Sequence, residues 1–184
     1  NAFEERKEII FLSSNEDNWM IRDIMEIRTA TIADLAQIAA VEAECFPAAE
    51  AATKEEFAER IKYYGNHFWL MFEGEKLIAF VDGFVTDKPD LTDEMYERAE
   101  MHDENGAWQM IFGVNTIPAY RKHGYAGQLL QCAIEDARKQ GRKGLVLTCK
   151  EKLIAYYAKF GFVNEGISES VHGNVIWYQM RYKF

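Results

Sequence analysis

Cysteine is scarce and scattered. The three residues, Cys45, Cys132 and Cys149, lie far apart and form no Cys-x-x-Cys pair. This argues against a zinc knot or a disulfide framework and suggests a reducing, cytoplasmic setting. Histidine is nearly as rare, with four residues. His67, His102 and His123 have no partner at ligand spacing, so no metal is expected. Basic residues are also in deficit: 21 Lys and Arg against 30 Asp and Glu give a formal net charge of −9. That argues against nucleic acid or an anionic membrane surface as the main partner. It is compatible with cationic substrates, although solubility alone also accounts for it. No apolar run approaches a membrane span. The first 25 residues are charged throughout, unlike a secretory signal. Neither the Gly-x-x-x-x-Gly-Lys loop nor the Gly-x-Gly-x-x-Gly fingerprint occurs, and there is no internal repeat or low-complexity segment.

What remains is a chain of 184 residues, 48% apolar, enough for one domain with its own core. Residues 1–24 read as an N-terminal extension, in which Asn1-Ala2 could be a scar of expression. A single domain is expected over residues 25–184, opening with a strand at Met25-Glu26-Ile27-Arg28. Two capping boxes, Thr31/Asp34 and Thr53/Glu56, announce helices. The first carries Leu35, Ile38, Ala39 and Glu42 at helical spacing, the second Phe57, Ile61 and Tyr64. Pro47 breaks the chain between them. Residues 67–72 and 76–85 form a hairpin around Gly74. An acidic stretch follows, with a short helix after Thr92. A buried strand spans 107–114 and ends at Asn115-Thr116. The most regular helix carries Ala126, Leu129, Leu130, Ala133, Ile134 and Ala137, and Gly141 stops it. A strand at 144–149 and a helix boxed by Thr148 and Glu151 come next. The last hairpin, 162–170 with 174–183, turns around His172-Gly173. Strands joined through helices imply parallel neighbours and hairpins imply antiparallel ones. The expected fold is therefore α/β, a mixed and mostly antiparallel sheet with helices on both faces.

The segment richest in chemical meaning is Arg121-Lys122-His123-Gly124-Tyr125-Ala126-Gly127, between a strand and the regular helix. Gly124 and Gly127 let backbone N–H groups approach a ligand with no Cβ in the way. The helix adds free N–H groups and the positive end of its dipole. Such a turn suits a pyrophosphate, while a loop that binds nothing would read the same by itself.

Arg121-x-x-Gly124-x-Ala126, preceded by Ile111-Phe112-Gly113-Val114, resembles the GCN5-related N-acetyltransferase family over roughly residues 26–183. The runs Val146-Leu147-Thr148-Cys149-Lys150-Glu151, Tyr156-Tyr157 and Phe160-Gly161-Phe162, with Cys45-Phe46-Pro47, are similar to its serotonin (arylalkylamine) branch. The resemblance implies acetyl transfer from acetyl-CoA to a primary amine of a small molecule, by direct attack in a ternary complex. It leaves open a polyamine, a protein amine, or a coenzyme-binding module with reduced catalysis, and either a monomer or a homodimer.

It further implies that the fourth and fifth strands, 108–114 and 144–149, run parallel and splay apart to admit the pantetheine arm. Backbone groups near Phe112, Gly113 and Val114 would bind that arm. The N–H groups of Lys122, His123, Gly124, Tyr125, Ala126 and Gly127 would hold the pyrophosphate. Tyr157 would protonate the leaving thiolate. Phe46, Glu50 and Trp108 are the candidate amine-binding residues. The serotonin branch places two histidines on the fourth strand to deprotonate the amine. Trp108 and Met110 stand there instead, which leaves water, Glu44, Glu50 or His172.

Overall fold

The computed structural model describes residues 7–9 and 25–184. The rest of the expected N-terminal extension lies outside these residues. Among the described residues, ten strands make two five-stranded sheets. The first has the order β1 (Lys7–Ile9), β2 (Met25–Thr29), β3 (Phe68–Glu73), β4 (Lys76–Asp82) and β7 (Gly113–Thr116), with every pairing antiparallel. The second has the order β5 (Val85–Thr86), β6 (Trp108–Ile111), β8 (Gly144–Cys149), β10 (Tyr178–Lys183) and β9 (Val163–Ile167). Its β6–β8 pair is parallel. This is the expected mixed fold, opened into two halves.

The opening has a local cause. The strand expected over 107–114 is broken at Phe112. Its first part, β6, pairs with β8 as far as Ile111 and Leu147. Its second part, β7, crosses to β4 and continues through Asn115 and Thr116. Phe112 N–H donates to Asp82 O at 2.8 Å, while Gly113 is also Asp82's partner in the ladder. Two residues thus oppose one, a bulge that bends the strand. Thr148 and Cys149 run on past the last β6 pair, so β7 and β8 diverge.

Among the described residues, five α-helices surround the sheets: α1 (Leu35–Cys45), α2 (Lys54–Tyr64), α3 (Asp93–Glu97), α4 (Tyr125–Lys139) and α5 (Ile154–Ala158). Both early capping boxes form. At α2, Thr53 Oγ1 accepts from Glu56 N–H at 3.2 Å and Glu56 returns a carboxylate to Thr53 N–H at 2.6 Å. The Thr148/Glu151 box does not form: Lys150 is the cap, and Thr148 Oγ1 lies 3.4 Å from the Tyr96 hydroxyl instead. Thr148 is still in strand geometry, so its side chain turns across the sheet rather than along the helix. Leu129, Leu130, Ala133, Ile134 and Ala137 of α4 are buried as their spacing requires. The last hairpin is shorter than expected, since residues 168–177 leave the sheet as a long connection.

Candidate active site

A cavity of about 300 Å³ opens where the two sheets part. Phe112 and Gly113 line it from the break, Phe46, Glu50, Ala51 and Ala52 from the α1–α2 connection, Tyr96 from α3, and Val171 and His172 from the long connection. Its charge is one-sided: Glu42, Glu50, Glu56, Asp82, Asp93 and Glu97 face Arg60 and His172. The amine-site candidates Phe46 and Glu50 are therefore brought together. Trp108 is not in this wall. It lies at the start of β6 under the Arg181 guanidinium, 4.7 Å from the ring centre. Met110 is fully buried, and Glu44 is exposed on α1.

The floor is a buried polar network. Arg60 Nη1 donates to Asp82 Oδ2 at 3.2 Å and Nη2 to Tyr96 O at 3.1 Å. Glu42 accepts from Ala52 N–H at 3.1 Å and from Asn115 Nδ2 at 2.8 Å. Burial raises the Glu42 carboxyl above its ordinary range and pushes Asp82 up to about 7 against the pull of Arg60. Glu50 Oε1 takes the Lys150 ammonium at 2.8 Å. Three buried polar atoms, Glu50 Oε2, Asp82 Oδ1 and Arg60 Nε, have no hydrogen-bond partner and belong to residues of this wall. A Cβ at Gly113 would stand 2.7 Å from Asp82 Oδ1, so a glycine keeps the floor open.

Beside the cavity runs the gap between β7 and β8. Ile117 N–H donates to Ile78 O in a ladder that pairs Val114 with Val81. Alternation along that ladder turns the backbone groups of Val114 and Thr116 toward the gap. Phe112 N–H is already engaged by Asp82 O. Of the three residues expected along the pantetheine, Val114 is thus the one whose N–H faces the gap.

The gap leads to the N-terminus of α4. Gly124 caps it at φ 82°, and Lys122 is also left-handed at φ 67°. Two such residues around His123 curl the backbone into a concave turn. Tyr125, Ala126 and Gly127 N–H groups have no intrahelical acceptor one turn back, and the helix dipole favours an anion there. Gly127 also serves packing: a Cβ there would meet Phe160 Cζ at 2.9 Å. It lets α4 pack against the aromatic end of α5.

Tyr157 of α5 is buried against Tyr156, 5.1 Å between ring centres, and Phe162, 6.1 Å. Burial raises its phenol, and the nearby Cys149 adds to this. The hydroxyl therefore holds its proton more firmly than a free phenol does. Burial likewise pushes the Cys149 thiol up to about 11. It is a thiol at neutral pH, a poor nucleophile.

The residues missed in the sequence were the buried charges. Arg60 falls on the apolar face with Phe57, Ile61 and Tyr64, and Asp82 interrupts a run of strand hydrophobics. A charge on a core face was the available signal. A second cluster was also missed. Among the described residues, one group close enough for a metal is His67, His102 and Glu104. Val85 N–H donates to His102 Nδ1 at 3.1 Å, so the neutral ring carries its proton on Nε2. That nitrogen lies 3.2 Å from Glu104 Oε2. Glu104 also meets His67 Nε2 at 2.9 Å and accepts from Arg142 Nη2 at 2.8 Å. The hydrogen bonds make this group a clasp for the 99–107 segment.

A sheet split at a bulge, a gap beside it, and an anion-ready turn at one end of that gap are the features that decide the family. The profile of the acetyltransferase (GNAT) family matches residues 35–162. The chain belongs to that family.

Solved structures agree on the fold. The loading GNATL domain of CurA from Lyngbya majuscula is 16% identical with a TM-score of 0.75, over 86% of this chain and 97% of that one. Arabidopsis thaliana Naa50, in complex with the bisubstrate analogue CoA-Ac-MVNAL, is 18% identical with a TM-score of 0.68, over 87% and 99%. The paia N-acetyltransferase from Thermoplasma acidophilum, in complex with coenzyme A, is 19% identical with a TM-score of 0.64, over 87% and 99%. A search of curated proteins found no match. No helix among the described residues is long and apolar enough to cross a membrane.

Proposed function

We propose that this acetyltransferase moves the acetyl group of acetyl-CoA onto the primary amine of a small cationic molecule, an arylalkylamine in type. The observation that carries the reading is the cavity at the sheet break, where six carboxylates and three aromatic side chains face the same space. An ammonium is drawn and oriented by the carboxylates, and Phe46, Tyr96 and Phe112 supply flat apolar faces for an aryl group. At about 300 Å³ the space is at the small end for ligand pockets.

Acetyl-CoA supplies an activated acyl group, and the residues present fit it. The curled turn from Lys122 to Gly127 offers N–H groups to the pyrophosphate, and Val114 offers its backbone to the arm. An N–H at the break polarises the thioester carbonyl as negative charge grows on its oxygen. The amine nitrogen attacks the carbonyl carbon from the cavity, the C–N bond forms and the C–S bond breaks. Tyr157 gives its proton to the departing thiolate. In this reading the acetyl group passes directly to the amine, with no acyl-enzyme intermediate.

A second reading, a polyamine acceptor, draws on the same carboxylates, which outnumber what one ammonium needs. Naa50 was solved with a peptide-bearing bisubstrate analogue, so peptide amines belong in the test as well. Calorimetry with acetyl-CoA should show saturable one-site binding. A Gly124→Glu variant should stay folded and lose that binding, since its carboxylate and its strained φ both spoil the turn. Unchanged affinity in the variant overturns the pyrophosphate assignment. Thiol release should then be followed with arylalkylamines, polyamines and peptides. A clear preference for polyamines or peptides replaces the arylalkylamine reading.

A further inference from the structure

An alkyl ammonium must lose a proton before its nitrogen can attack, and the fourth strand carries no base. We infer that His172 is the group that takes this proton; the inference rests on the amine-acetyltransferase reading above.

His172 lines the cavity from the 168–177 connection. Its Nε2–H donates to Glu50 O at 3.1 Å. A carbonyl can only accept, so this bond fixes the proton on Nε2 and leaves the Nδ1 lone pair available. The ring is also held flat on Tyr96, with 5.8 Å between centres and 7° between planes. Tyr96 packs in turn on Phe112 at the sheet break, 4.6 Å between centres. The imidazole is therefore oriented from two sides and coupled to the place where the acyl carbonyl is expected.

The connection itself is anchored rather than loose. Asp93 accepts from Ser170 Oγ at 2.5 Å and from Val171 N–H at 3.0 Å. Trp177 Nε1 donates to His172 O at 2.8 Å. A Cβ at Gly173 would lie 2.7 Å from Glu50 Cγ, so the turn is pressed against the Glu50 segment. The charged and titratable groups around the ring are Glu50 and Lys150, which pair with each other, Asp93 and Glu97 of α3, and the Tyr96 phenol.

The carboxylates of the wall are less suited to the task. Asp82 is buried in the floor and tied to Arg60, which keeps it out of the ammonium's reach. Both Glu42 oxygens already accept hydrogen bonds. Glu50 is held by Lys150, and its other oxygen, Oε2, is buried. In the step, the N–H proton of R–NH3+ passes to His172 Nδ1. The freed amine lone pair attacks, the second N–H proton of the adduct passes to the Tyr157 oxygen that has protonated the thiolate, and the imidazolium returns its proton to solvent after the product leaves.

His172→Gln is the test, because the glutamine amide can still donate to Glu50 O. With the preferred amine, kcat should fall by about 10²-fold or more. The acidic limb of the kcat–pH profile should disappear, and added imidazole should restore part of the rate. Acetyl-CoA affinity and the melting temperature should stay unchanged. An acceptor that is already neutral at pH 7, such as an aniline, should lose far less. A variant that raises KM alone, with kcat and the pH profile intact, would make His172 a wall residue and overturn the inference. A wild-type protein that binds acetyl-CoA but acetylates no amine would instead bring down the functional reading on which it rests.

Discussion

Burying a charge in a core face is expensive unless it is matched, and Asp82 is matched only in part. One oxygen meets Arg60 at 3.2 Å, while the other has no partner. Burial raises the carboxyl to about 7, above the 3.8 it has when unfolded. A raised folded value means the native state holds this proton more tightly. The stability it contributes is full below about pH 3.8 and is lost as the pH rises through 7. Urea unfolding of the wild type between pH 4 and 7 should therefore carry a downward contribution from this residue. Asp82→Asn should flatten that slope, by a few kcal/mol at most. An unchanged slope would mean that Arg60 keeps the carboxylate ionised throughout. Tyr157 is a residue whose chemistry could be anticipated from its neighbours in sequence but not from helical spacing. Burial keeps its phenol protonated but also makes the proton harder to give, which bounds what it adds to thiolate departure. Tyr157→Phe should lower kcat by up to about 10²–10⁴-fold with little change in acetyl-CoA affinity. Equal turnover would remove it from the chemistry.

Elements with a strong local signal were legible in the sequence, and elements defined by distant contacts were not. The α4 face, its glycine start and the Thr53/Glu56 cap follow from spacing and capping chemistry alone. The break at Phe112 does not, because a buried strand reads the same whether it keeps one partner or changes to another. Nor could spacing along the chain bring His67 to His102 and Glu104, which meet only because β3, the 99–107 segment and β6 pack together. That clasp makes its own prediction. Burial alone would raise the Glu104 carboxyl. The hydrogen bond and charge of His67, helped by Asn66 and His102, outweigh it and hold the group down to about 2. A lowered folded value gives stability that is present above the unfolded 4.5 and lost as the pH falls toward 2. Since the Glu104 side chain is 51% exposed, solvent screens much of this. Glu104→Gln should cost about 1 kcal/mol at pH 7, with the difference from wild type vanishing near pH 2. Hydrogen exchange over residues 99–107 should rise in the same variant. A pH-independent difference would assign the cost to packing rather than charge.

At the scale of the whole molecule, the charge of −9 and the acidic cavity act in one direction. The overall field raises the local concentration of cations, and the cavity carboxylates focus it at the site. These are separable contributions. Long-range attraction between exposed charges is screened beyond roughly 8–10 Å at 0.1–0.15 M salt, whereas contacts inside the cavity are screened much less. For a monocationic amine, kcat/KM should therefore fall when salt is raised from low to near-physiological strength. A dicationic amine should fall more steeply, because each charge couples to the same field. Acetyl-CoA carries the opposite sign, and its affinity should hold or improve over the same range as repulsion is screened. Measuring all three on one protein separates the field from any general effect of salt on folding. Parallel losses for cationic amines and coenzyme would point to weakened structure. Opposite trends would mean that the acidity of the chain selects its acceptor before the cavity does.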